Sequence, residues 1–133
     1  MRYAYALVRR GETVRGEALV DEAERVARQK IDAGSETPAL RVEMAAAAAL
    51  RKDTDGALDW LERAVHAGYR DYDFIDRGPI FRAQLGTDTR LAALVERMRR
   101  DVDAQRQRAR QRGLLELESL LGPDPVCFRS APS

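Results

Sequence analysis

The apolar residues Ala57, Leu58, Leu61, Ala64 and Val65 are spaced i, i+1, i+4, i+7 and i+8, which puts them on one face of a helix. Most of this pattern returns 34 residues later as Leu91, Ala92, Val95 and Met98. The turn travels with it, because Lys52-Asp53 lands on Gly86-Thr87. Upstream, Gly16, Val20 and Ala23 match Ala57, Leu61 and Ala64 at an offset of 41, and Gly11-Glu12 precedes Gly16 as Lys52-Asp53 precedes Ala57. The extra seven residues fit a longer helix and its loop. A period of this size constrains the fold strongly, since one such unit cannot bury its apolar face alone and neighbours must stack to do so.

Local signals give the units helices and no strands. Ala, Leu, Arg and Glu dominate, all good helix formers, while aromatics make up only 6% of the chain and β-branched runs are absent. Gly11, Gly34, Gly68, Gly86 and Gly122 fall at the ends of periodic segments, where a left-handed residue closes a helix. Helices are expected over about 2–10 and 14–33, the second with Val20, Ala23, Val26, Ala27 and Ile31 as its stripe. The third starts at Pro38 with Thr37 as cap, and the fourth starts at Asp53 or Thr54 and ends at Gly68. One or two short turns fill the acidic and aromatic stretch up to Pro79 and on to Leu85. A last long helix begins near Asp88 or Thr89, with Leu91, Leu94, Val95, Met98, Val102 and Ala109 on one side. Gly113 is expected to interrupt it. The chain then divides into a helical repeat domain over 1–112 and a short amphipathic helix with an irregular, Pro-containing tail over 113–133.

The stretch MAAAAALRKDTDGALDWLERA resembles the tetratricopeptide repeat (TPR), through Met44, Ala45, Ala48, Asp53, Ala57, Leu58, Leu61 and Ala64. Arg41, Ala48 and Lys52 stand where the TPR consensus has Trp, Tyr and the turn Gly, and no Pro closes the repeat. The following segment is similar to the degenerate closing repeat of bacterial TPR proteins, through Gly68, Tyr69, Asp71, Tyr72, Pro79, Phe81, Leu85, Asp88, Arg90 and Leu94. Gly78 replaces the usual Asp there. The resemblance implies an all-α fold of antiparallel hairpins stacked as a short right-handed superhelix. It also implies a concave groove lined by first helices, which points to Ala39, Val42, Glu43, Ala46 and Ala49. These small side chains suit the close approach of a peptide or helix. On this register Met1 falls inside the first helix of the first repeat. The apolar YAYALV, with Tyr3, Tyr5 and Leu7, is then expected to be covered by upstream repeats or by another chain.

Chemistry is weakly signalled. Asp71, Asp73 and Asp76 could be metal carboxylates, but aspartates at helix ends are more simply caps. Asp53-Thr54-Asp55-Gly56 resembles the start of a calcium loop, yet the closing Glu such a loop needs is Ala64. His66 is the only histidine and Cys127 the only cysteine, and neither has a nucleophile or orienting carboxylate at a useful spacing. No catalytic residue, metal or cofactor is expected. The run 97–112 has seven Arg and two Asp, a local charge of +5, but it lacks interleaved aromatics and the whole chain carries only +1, which argues against nucleic acid. No apolar run reaches membrane-spanning length and no signal segment is present, so the expected setting is the cytoplasm of a bacterial cell.

Leu114, Leu117 and Leu121 form one stripe, with Leu115 and Leu120 beside it, and suit self-association as a homodimer. The functional expectation is a non-catalytic scaffold that binds a protein or peptide in its groove. The alternative is a regulatory or sensor module at the C-terminus of a larger bacterial transcription regulator or signalling protein.

Overall fold

The computed structural model describes residues 1–122, and for Tyr3 the backbone alone. The expected tail and Cys127 therefore lie outside the described residues, as does the side chain of Tyr3. The described chain is all-α, with α1 (Arg2–Arg9), α2 (Thr13–Asp32), α3 (Pro38–Leu50), α4 (Thr54–His66), α5 (Tyr72–Arg77), α6 (Pro79–Leu85) and α7 (Thr89–Leu121). Its contacts divide into one unit over Met1–Met98 and a second from Arg99 onward.

Four helix ends share one construction. After α1, α2, α3 and α4 the chain closes with paired hydrogen bonds, of which Lys52 N–H to the Ala49 carbonyl and Asp53 N–H to the Ala48 carbonyl, both 2.9 Å, are an example. This Schellman arrangement needs one left-handed residue. Gly11, Gly34 and Gly68 supply it with φ of 84°, 93° and 107°, and Lys52 supplies it at φ 60°. Lys52 thus adopts at this turn the backbone conformation that glycine takes at the other three. Gly86 departs from expectation, with φ −58°, because the chain there continues in the right-handed region towards α7.

Helix starts are set by carboxylates and prolines. Asp53 accepts from the Gly56 N–H and Asp71 from the Phe74 N–H, each at 3.0 Å. Asp88 accepts from the Arg90 N–H at 2.8 Å, ahead of α7. Thr37 precedes Pro38 as expected but makes no capping bond; its hydroxyl instead accepts from the Ser35 hydroxyl at 3.2 Å. Two aspartates of the acidic stretch are accounted for locally, since Asp71 caps α5 and Asp73 meets Arg77 at 3.9 Å.

Helix α3 is the centre of the first unit. Met44, Ala45, Ala46, Ala47 and Ala49 are all buried, so the helix is enclosed on nearly every side, which its alanines allow by letting neighbours come close. Ala45, Ala46 and Ala49 join α4, α5, α6 and α7 in one core with Leu58, Leu61, Ile75, Phe81, Leu85, Leu94 and Met98. Ala47 turns the other way and meets Ala4 and Val20. Helix α1 lies close on α2, where a Cβ on Gly16 would fall 2.6 Å from Val8 Cγ2 and 3.1 Å from the Ala4 carbonyl oxygen. Leu7 and Ala4 are consequently only 3% exposed. That part of the α1 face expected to need another chain is covered by the chain's own helices; Tyr5 is half-buried against the main core.

Two ion pairs fix the direction of α7 relative to α4. Arg90 meets Asp55 at 2.7 Å and Arg97 meets Glu62, so partners two turns apart on one helix meet partners two turns apart on the other, in the same order. The helices run parallel and side by side, at nearly the offset that the sequence repeat carries. Gly113 does not interrupt α7, which is helical through to Leu121. A glycine costs about 1 kcal/mol relative to alanine inside a helix, and strong helix formers on both sides absorb that. The last buried residue of α7 is Met98, which is where the contact pattern divides, rather than at Arg112.

Candidate functional site

A cleft of about 430 Å³ lies between the start of α1, the middle of α3 and the broken pair α5–α6. Its apolar lining comes from Val42 and Ala46 on α3 and from Phe74, Pro79, Ile80 and Phe81 opposite. The alanines of α3 leave the space, and the turn at Gly78-Pro79 brings α6 onto α3 and presents Ile80 and Phe81 to the cleft. Phe81 is only 1% exposed and Ile75 fully buried, so both also wedge the core.

Glu43, Arg2 and the Met1 ammonium, which meets Glu43 at 3.8 Å, supply the charge at the cleft. The Arg2 guanidinium lies over the Phe74 ring, 5.4 Å from its centroid, in a cation–π contact that holds both at the opening. Burial, then the nearby Asp71 and Glu43 carboxylates, push the Tyr69 phenol up to about 12. Two cations and one anion, with Glu43 already met by the Met1 ammonium, stand beside an apolar lining and favour an apolar ligand segment over a strongly charged one.

Of the residues expected to line a groove, Val42, Glu43 and Ala46 are found at this cleft. Ala39 is exposed one turn earlier on α3 and is not part of this lining, and Ala49 is fully buried in the core and offers no surface. The opposite wall, Ile80 and Phe81, was missed among the site residues. Its signal was the place of the broken segment in the repeat, where a first helix would stand and would face the same groove.

Trp60 lies beneath the Arg63 guanidinium, which is 4.7 Å from its ring centroid, in a shallow depression with Ile31, Arg41 and His66. The Arg70 side chain donates to the Val65 carbonyl at 2.9 Å, which places a cation at the end of α4. Leu114, Leu117 and Leu121 are exposed on α7. Among the described residues no group of three or more His, Cys, Asp or Glu could hold a metal, and no helix is long and apolar enough to cross a membrane. No family model, curated protein or solved structure matches the chain.

Proposed function

We propose that this protein is a non-catalytic scaffold of the TPR type that binds an apolar peptide or helix in the cleft between α3 and α6. The observation that carries this reading is the cleft itself. Small residues of one helix face the apolar side chains of a second across an open space, with single charges on Arg2, Glu43 and the Met1 ammonium. Such a surface is built to accept two or three apolar side chains of a partner, the groove mode of peptide recognition. The resemblance of residues 38–68 to a TPR unit and the parallel course of α4 and α7 support the same reading. A cytoplasmic, bacterial setting belongs to this proposal and rests on the resemblance.

The test is capture of partners from the source cells by the intact chain and by two cleft variants, Glu43→Arg and Phe74→Ala, followed by titration of the captured partner's segment. Both side chains are partly exposed, so the variants are expected to keep their thermal midpoint while losing the partner about tenfold or more. Undiminished binding by both variants would dismiss the cleft as the site.

A further inference from the structure

We infer that the leucine stripe near the end of α7 binds the same stripe of a second copy, with the two helices antiparallel. Leu114, Leu115, Leu117, Leu120 and Leu121 are between 54% and 84% exposed, a contiguous apolar surface that water disfavours. Leu114, Leu117 and Leu121 share one side, and the helical period continues that side towards the N-terminus into Arg110 and Arg106. Glu118 flanks the leucines. The stripe is therefore apolar at one end and basic at the other, with an acid beside its apolar end.

That asymmetry selects the occupant and its direction. Parallel pairing of two copies sets Arg110 against Arg110 and Glu118 against Glu118, which repels. Antiparallel pairing centred between Leu114 and Leu117 stacks Leu114 of each copy on Leu117 of the other. It also lays the Arg110 stem over Leu121 of the other copy, with its guanidinium within a turn of that copy's Glu118. Among the described residues, no ion pair engages Arg110 or Glu118 within the chain. The patch covers little more than two turns, so the dimer is weak and depends on concentration. This inference rests on α7 alone and stands whether or not the cleft binds a peptide.

The experiment is sedimentation velocity on the full chain over a dilution series, beside Leu114→Glu/Leu117→Glu, Arg110→Glu, Glu118→Arg and the double swap Arg110→Glu/Glu118→Arg. The expected result is a reversible dimer that the leucine pair abolishes, with helical circular dichroism retained. Each single charge reversal should weaken it about tenfold and the double swap should restore it. A wild-type monomer at every concentration overturns the inference, as does a dimer or larger species indifferent to the leucine pair. A double swap that stays as weak as the single reversals overturns the antiparallel direction. A chain shortened to residues 1–122 that dimerises while the full chain does not would show the stripe covered by its own tail, and also overturns it.

Discussion

A lysine held at φ 60° between two helices is a costly choice for a backbone that glycine adopts freely. Lys52 is exposed, and what the Schellman turn between α3 and α4 requires of this position is its backbone conformation. Lys52→Gly is therefore expected to stabilise the protein by about 1 kcal/mol, a rise in Tm of several degrees, and Lys52→Val to lower it. A thermal melt in which the glycine variant falls below wild type would show that the turn is not under strain. A second residue-scale effect concerns Asp88. The Arg90 side-chain hydrogen bond, joined by the Arg90 backbone N–H, holds the Asp88 carboxyl below the ordinary carboxylate range. A lowered folded-state pKa means stability that is fully present above the unfolded value of about 4 and is lost as pH falls through the folded value. Asp88→Asn should accordingly unfold more easily at neutral pH and show less further loss on acidification. Carbon-detected NMR titration of Asp88 gives the direct check, and a midpoint at or above the free value would refute the capping role.

Helix α7 carries a glycine with nothing within 4 Å of where its Cβ would stand. Gly113→Ala therefore meets no clash and removes a propensity penalty of about 1 kcal/mol from an exposed helix interior. Amide exchange around residues 110–116 should slow by about fivefold; unchanged exchange would mean that this part of α7 is not helical in solution. The same glycine shows where sequence reading stops. Gly11, Gly34 and Gly68 were legible as helix ends because periodic apolar spacing stops beside them. At Gly86 a helix does end, but the residue stays right-handed because α7 follows directly; at Gly113 the residue type alone suggested an end, and the neighbouring propensities carry α7 through it. Asp53 and Asp71 were legible because a cap acts within three residues. The cleft was only half legible. Val42, Glu43 and Ala46 were implied by the repeat resemblance, whereas the Ile80 and Phe81 wall depends on α6 packing across more than thirty residues of chain onto α3. Ala49 failed as a groove residue for a related reason: an alanine-rich helix gives no sequence contrast between the face towards solvent and the face towards α4.

The chain as a whole separates the two proposed surfaces. The cleft lies within Met1–Met98, while the leucine stripe lies in the unit that starts at Arg99. Every buried residue of α7 precedes Arg99, and beyond it only Val102 and Ala104 are even half-buried. A chain ending at Gln105 thus keeps the complete core, the Asp55–Arg90 and Glu62–Arg97 pairs and both walls of the cleft. It is expected to unfold in one transition with a stability within about 0.5 kcal/mol of the full chain, since every described residue removed is exposed. It should also retain partner capture in the cleft and lose self-association. Denaturant melts of the two chains under identical conditions give the comparison. A loss of more than about 1 kcal/mol on truncation, measured below the concentration at which the full chain dimerises, would mean that residues beyond 105 support the first unit directly. A loss seen only above that concentration would be the dimer's own contribution by mass action, and would vanish in the Leu114→Glu/Leu117→Glu chain.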